Sequence, residues 1–533
     1  METLGLVPHP AGLEMGDGHL ALGPEASVSG PAPVVRLARR LLGTATGFTW
    51  PDGGEAATLA LRVDPGTAST PASTSTSTEG YRLAVGPDGI EIVAGAEAGL
   101  VNALHTLVQL LPPDILRPAV VPARRWEVPF VDIVDRPRFA WRGVHLDVAR
   151  HFMPATWLLR FVEVLALHKL DVLHLHLTDD QGWRFPSERY PRLVEVGSWR
   201  RGTQVGREGA IDPTPHGGFY TRAELADLVR FAAERNVTIL PEIDLPGHVG
   251  AALAAYPELG NGTGPYETKT TWGIHPQVLN LEPETLRFCA EILGEVAEVF
   301  PGRFVHVGGD EVPTDEWRAS ARVRQRREQL GLAGEEQLQH WFTAQAHATL
   351  EARGRRLVGW DEILGGGIPP EGSVVMSWRG TAGGVAAARA GLDVVMCPEE
   401  SLYLDYYQSE LPDEPLAGRG PTTLADVCAF DPIPPDLDGP AAKRVLGAQV
   451  QLWTEHMEEP AMVEYMAFPR TSAFADLVWV PAGGDPAERE ARVVEHLARL
   501  DVLGVGYRPP SGPLPWQRGG EGRRRRGPNR GEV

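Results

Sequence analysis

Lysine is nearly missing from this 533-residue chain: three of its 50 basic residues are Lys (Lys169, Lys269 and Lys443) and the rest are Arg. Schiff-base chemistry and lysine general bases need the amine at the mouth of a site. None of the three stands at the end of a stretch that reads as a strand, so that chemistry is excluded. Cysteine is scarce too, with Cys289, Cys397 and Cys428 widely spaced and odd in number. They match no metal-ligand spacing and predict reduced, structural thiols. No apolar run approaches the roughly 20 residues that span a bilayer, and the first residues, METLGLVPHPAGLEMGDG, have neither a basic start nor a long apolar core. No membrane partner is expected, and a cytoplasmic location is, with export by a route that needs no leader left open. Basic charge is in deficit overall, 50 Lys+Arg against 70 Asp+Glu for a formal charge of −20, which argues against nucleic acid as a partner. Composition leaves the oligomeric state open.

The stretch richest in chemistry is FVHVGGDEVPTDEW, residues 304–317. Its β-branched, apolar start reads as a buried strand. Gly308 and Gly309 then free the backbone to bend, and adjacent acids follow at Asp310 and Glu311. A solvated turn is the ordinary reading of such a dipeptide. Against it, several other strand-like runs also end in polar or aromatic residues, which fits a site assembled at the C-terminal ends of strands.

In chain order, residues 1–137 read as a small α/β (α+β) N-terminal domain. It has a helix at 33–42, a strand at 57–63, a hairpin pairing 81–85 with 90–93 around Gly86-Pro87-Asp88-Gly89, and a helix at 96–111 stopped by Pro112-Pro113. A Ser/Thr/Ala/Pro run at 67–78 predicts a loop. Residues 138–508 alternate strand and helix, with strands expected at 143–149, 172–178, 238–243, 304–307, 356–359, 374–377, 393–396 and 447–452. Helices are expected at 155–169, 221–235, 283–299, 335–353, 381–390, 458–476 and 486–503. Eight strands with helical crossovers make a (β/α)8 TIM barrel. A doubly wound open sheet is the alternative, but no Gly-rich phosphate loop follows a strand. Residues 509–533, rich in Arg, Gly and Pro, read as a disordered tail.

The residues after the strands form a set: Arg150-His151, Asp179-Asp180-Gln181-Gly182-Trp183, Asp244 to His248, Asp310-Glu311, Trp360-Asp361-Glu362, Trp378-Arg379, Tyr403-Leu404-Asp405 and Trp453-Thr454-Glu455. Indoles stack on the C–H faces of sugars, while carboxylates and Arg bind hydroxyls. Glycoside cleavage needs an acid for the leaving oxygen and a stabiliser for an oxocarbenium-like centre. Adjacent residues are poorly placed to be both nucleophile and acid, a difficulty that a nucleophile carried by the substrate, such as a 2-acetamido group, removes. His174 and His176 stand two apart on a strand and keep a metallohydrolase reading open. They lie within the strand, however, and no further ligands fall in a supporting pattern, so neither metal nor cofactor is expected.

With these motifs in view, the chain resembles the β-N-acetylhexosaminidases of glycoside hydrolase family 20. The resemblance rests on LDVARHF (146–152), LHLHLTDDQGWR (173–184), PEIDLPGH (241–248), HVGGDE (306–311), VGWDE (358–362), YLDYY (403–407) and LWTE (452–455), in that order. It implies a retaining exo-hydrolase of terminal β-linked N-acetylglucosamine or N-acetylgalactosamine, acting through an oxazolinium ion; substrate assistance is a property already attributed to this family. By resemblance, Glu311 is the acid/base, Asp310 orients the acetamido group and Tyr403 binds its carbonyl. Trp360, Trp378 and Trp453 wall the pocket, and Arg150, Asp405 and Glu455 hold ring hydroxyls. Asp179 and His248 fall beside the sugar and the acid, with Asp244 a layer behind. A general acid must keep its proton near neutral pH, which the charge of Asp310 favours for Glu311. A binding protein on the same barrel would have lost Glu311, Asp310 or Tyr403, and all three are present. The Gly/Thr-rich stretch 261–271 is expected as a loop on the face of the site.

Overall fold

The structure is a computed structural model and describes residues 4–68, 78–207 and 209–518. Most of the Ser/Thr-rich run expected as a loop, and residues 519–533 of the expected tail, lie outside the described residues.

The N-terminal unit is a six-stranded sheet in the order Gly12–Leu22, Trp126–Asp135, Tyr81–Gly86, Gly89–Ala94, Leu59–Val63, Val28–Ser29. The first four are antiparallel neighbours and the last two join in parallel. The hairpin and both helices, Ala32–Thr46 and Glu97–Leu110, fall where the turn and periodicity signals put them. Besides the two-residue Val28–Ser29, strands Gly12–Leu22 and Trp126–Asp135 were not foreseen. The former is an edge strand rich in Gly and charge, irregular between Met15 and His19 and exposed along most of its length, so it carries no apolar alternation. Helix Glu97–Leu110 is buried on nearly every side. A helix apolar all round needs cover on both faces: here the sheet lies on one, and on the other Gln109 Nε2 donates to the Leu167 carbonyl of the second domain at 2.9 Å.

That second domain is a closed barrel of eight parallel strands: Trp141–Asp147, Val172–His176, Thr238–Glu242, Phe304–His306, Arg356–Trp360, Val374–Ser377, Asp393–Met396 and Val445–Val450, strands one to eight below. All eight expected strands are present, two with the expected bounds and six with ends moved by one or two residues. The helix expected at 458–476 is two, Pro460–Ala467 and Arg470–Trp479, broken at Pro469, whose ring nitrogen has no N–H to continue the first helix. Inside the barrel, Trp141, Val172, Leu240, Val358, Val374, Met376 and Val395 form an apolar plug. Outside, a larger core lies between strands and helices. Residues 509–518, expected to be without structure, are held in place: Gln517 Nε2 donates to the Tyr507 carbonyl at 2.8 Å, and Arg518 pairs with Asp413 at 3.1 Å. Among the described residues no helix is long and apolar enough to cross a membrane.

Candidate active site

Strand four ends at His306, and the backbone then turns sharply: Gly308, Gly309 and Glu311 have φ of 66°, 92° and 48°. A side chain at Gly308 would run into the Asp244 carboxylate, so the glycine is required there. Glu311 is a non-glycine residue held in the left-handed region, which costs of order 1 kcal/mol and gathers at functional sites. His248, after strand three, is held in the same way with φ 52°. The turn is braced by Asp244 Oδ1, which accepts from the Gly309 N–H at 3.2 Å, and by Gln339 Nε2, which donates to the Gly309 carbonyl at 2.7 Å.

These turns open into a cavity of about 470 Å3 over the C-terminal end of the barrel. Nine expected residues line it: Arg150, Asp310, Glu311, Trp360, Trp378, Tyr403, Asp405, Trp453 and Glu455. Trp378 stacks beside Tyr403 (centroids 6.1 Å apart, 26° between planes), and Trp360 faces Trp453 at 5.9 Å. Arg150 lies over the Trp453 ring at 4.9 Å and pairs with Asp179 at 2.9 Å. Two expected members, Asp179 and His248, do not reach the cavity: both are buried behind its wall. From there His248 Nε2 faces Glu311 Oε2 at 3.4 Å and Asp310 Oδ2 at 3.7 Å, while its Nδ1 lies 3.3 Å from Asp179 Oδ1 and 3.2 Å from Asp180 Oδ2.

Burial governs the charges here. It pushes Asp310 above the usual carboxylate range, helped by the acids Glu242 and Glu311 and opposed by His248. It pushes Asp405 well up, with Glu455 adding to the effect, and Glu455 up as well, opposed by Arg150. Asp179 is also penalised by burial, yet Arg150 and His248 hold it well below the ordinary range. His248 pays the same desolvation cost as a cation but is raised well above the usual imidazole range by Asp179. Asp310 Oδ1 and Asp405 Oδ1 are buried and accept no hydrogen bond from the described residues.

Several residues at the site were not assigned from sequence. Trp272 lines the cavity from just beyond the Gly/Thr-rich stretch, which does lie on this face: Gln181 Nε2 donates to the Thr271 carbonyl at 2.9 Å, and Gln181 Oε1 accepts from Arg150 Nε at 3.1 Å. Glu362 accepts from the Trp378 indole at 3.0 Å and is pushed up to about 8 by burial and then by Asp310 and Asp361. Asp147 and Glu242 are fully buried strand residues. Asp147 Oδ1 accepts from the Ala149 and Arg150 N–H groups at 2.8 and 3.0 Å and so sets where Arg150 begins. Their sequence signal was a place in LDVARHF and PEIDLPGH, each as the acid that closes its strand, with no role attached. His174 and His176 point into the barrel interior at 3.1 and 2.6 Å from Glu242 Oε2. With His145 and His306 nearby, the donor atoms are close enough to hold a metal ion. Of the two, His176 Nδ1 makes a direct hydrogen bond to Glu242 Oε2, whereas His174 Nε2 is close but not aligned for one.

The fold and the pocket define the class first: a (β/α)8 barrel whose C-terminal face carries paired acids in an indole-walled cavity, the arrangement of a carbohydrate-active enzyme. Family models match nearly the whole described chain, "Glycosyl hydrolase family 20, domain 2" over residues 3–136 and "Glycosyl hydrolase family 20, catalytic domain" over 139–482. The chain belongs to glycoside hydrolase family 20. A beta-hexosaminidase of Porphyromonas gingivalis is 40% identical over 451 residues, which are 83% of this chain but 56% of that one, so this chain spans little more than half of that relative. A beta-N-acetylhexosaminidase of Cellulomonas fimi is 34% identical over 527 residues, covering 95% of this chain and 96% of the other. Among solved structures, a Vibrio harveyi GH20 exo beta-N-acetylglucosaminidase in complex with N-acetylglucosamine superposes with a TM-score of 0.80 at 32% identity, covering 95% of this chain and 78% of that one.

Proposed function

We propose that this chain is a retaining exo-β-N-acetylhexosaminidase that removes terminal β-linked N-acetylglucosamine or N-acetylgalactosamine with the substrate's own acetamido group as nucleophile. The observation that carries the reading is the adjacency of Asp310 and Glu311 at one strand end, with Glu311 backed by His248 and the pocket walled by indoles. Two acids on one turn cannot flank a glycosidic bond from opposite faces as an enzymic nucleophile and an acid must.

In the first half-reaction the acetamido carbonyl oxygen attacks C1 and the C1–O bond breaks. Its electron pair goes to the leaving oxygen, which takes the Glu311 proton. Asp310 accepts from the acetamido N–H and balances the positive charge of the oxazolinium, while the Tyr403 hydroxyl donates to the carbonyl oxygen. As the cation develops it favours the charged form of Asp310, offsetting the burial that disfavours it. In the second half-reaction Glu311 takes a proton from water, which opens the ring at C1 with net retention. Arg150, Asp405 and Glu455 bind the hydroxyls, and a pocket sized for one end of a chain limits cleavage to chain ends.

Turnover of the 4-nitrophenyl β-N-acetylglucosaminide against the β-glucoside, each with and without chelator, tests this. The glucoside lacks the acetamido nucleophile, so chelator-insensitive turnover of the first alone is expected. Equal turnover of both would reject substrate assistance, and loss with chelator would revive the metal reading of His174 and His176.

A further inference from the structure

We propose that Glu242 and His176, buried in the barrel beneath the pocket and out of reach of any substrate, are positioning residues for the acid/base: they fix Asp179, and through it His248, against Glu311. The inference rests on the functional reading above and extends it one layer into the barrel.

The parallel register sets Glu242 of strand three beside His176 of strand two and His306 of strand four, at the last residue of each strand. All three are fully buried. His176 Nδ1 lies 2.6 Å from Glu242 Oε2, and its Nε2 lies 2.8 Å from Asp179 Oδ2. An imidazole whose two nitrogens both meet carboxylates has to carry both protons, so His176 is a cation. In accord with this, burial disfavours the charge, but Glu242 and Asp179 raise His176 well above its usual range. Asp179 Oδ2 is then occupied twice, by His176 and by Arg150 Nη2 at 2.9 Å. Oδ1, which also accepts from the Asp180 N–H at 2.6 Å, is left to face His248 Nδ1 at 3.3 Å; that nitrogen bonds Asp180 Oδ2 at 3.2 Å as well, and the two acids together turn Nε2 of the ring toward Glu311. Carboxylate and imidazole thus alternate from the barrel core to the acid/base.

Glu242 also ties this line to the sugar platform, because its Oε1 accepts from the Trp360 indole at 2.9 Å. The other titratable groups facing the pair are His174 at 3.1 Å and His145 at 3.9 Å from Glu242 Oε2, His306 at 2.8 Å from Oε1, and Asp244, grouped with His176 and Asp179. Burial holds His145 and His174 below the usual imidazole range, His174 at about 4, so neither competes with His176 for the proton.

The test compares Glu242→Gln and His176→Gln with wild type and Glu311→Gln on two substrates. N,N'-diacetylchitobiose needs its leaving oxygen protonated, whereas the 2,4-dinitrophenyl β-N-acetylglucosaminide does not. Positioning of the acid predicts that both core variants lose roughly 10- to 100-fold in kcat/KM, which reports the first half-reaction, on the disaccharide, part of the 10²–10⁴ that general acid catalysis supplies, and less than about threefold in kcat/KM on the dinitrophenyl substrate. KM stays near wild type, and the basic limb of the kcat/KM pH profile moves. Equal losses on both substrates, or no loss on either, in protein with a wild-type melting temperature would overturn the inference. Two variants are used because Glu242→Gln keeps an acceptor for Trp360 while His176→Gln keeps a donor for Asp179, so failure of one to fold leaves the other to decide. If Glu311→Gln itself shows no difference between the substrates, it is the functional reading that falls.

Discussion

Two buried ionic clusters in this molecule use the same residue types to opposite ends. Between the domains, Asp135 accepts five hydrogen bonds: Oδ1 from the Ala11 and Arg136 N–H groups and the Trp479 indole at 3.0, 2.9 and 2.9 Å, and Oδ2 from Tyr81 and Lys169 at 2.6 and 2.9 Å. Lys169 also donates to the Tyr81 hydroxyl and lies over the Trp479 ring at 4.5 Å. At the pocket, Asp310 and Asp405 each keep a buried oxygen that accepts nothing from the described residues, and Glu311 and His248 sit in strained backbone. A carboxylate with all its partners fixes a geometry; one lacking them is raised in energy and has affinity to spend on a ligand. The closed cluster stabilises the scaffold that holds the open one in place.

The comparison breaks most visibly at Glu311. Glu311→Gln is expected to lose about 10²- to 10⁴-fold in kcat on N,N'-diacetylchitobiose with an unchanged melting temperature, checked by steady-state kinetics beside a thermal melt. Lys169→Met is its counterpart. Leaving Asp135 charged and short of its cation is expected to cost about 3–5 kcal/mol in urea unfolding, with kcat per folded molecule within about twofold of wild type. A catalytic loss like that of Glu311→Gln would show that the two clusters are not separate in function.

The smallest effect concerns pH. The folded pKa of Glu362, about 8, lies above its unfolded value of 4.5. The unfolded state therefore loses its proton first, and stability from this group is intact below about 4.5, falls as pH rises toward 8, and levels off above. Glu362→Gln removes the dependence, so its melting temperature should match wild type at pH 4.5 and exceed it by roughly 1–3 °C at pH 8.5. The 3.5 Å pair with Arg379, which the variant gives up, limits the gain. A uniform rise at both pH values would mean that packing, not charge, made the difference.

Much of this was legible in the chain. Eight runs of β-branched residues spaced by amphipathic helices left few alternatives to a barrel, since each run is short, apolar and closed by a polar end. The lining of the pocket was legible for the same reason: polar or aromatic residues directly after a strand have one place to go. Residues whose role depends on a second element were not. Edge strand Gly12–Leu22 has no apolar pattern because most of it faces solvent, and it exists by pairing with Trp126–Asp135. Trp272 reaches the cavity from far along a loop. Asp179 and His248 were expected, by resemblance, beside the sugar and the acid; the fold buries both behind the pocket wall, in contact with Arg150 and Glu311.

The sequence by itself determined the order of elements, the turn at Gly308-Gly309 and the presence of two acids after it, because local sterics and periodicity act over a few residues. Only the tertiary structure decided which charges are closed and which are open. Barrel closure and register put Glu242 beside His176 and His248 beside Glu311, across separations of 66 and 63 positions, and the burial that shifts their protonation exists only once the barrel has shut.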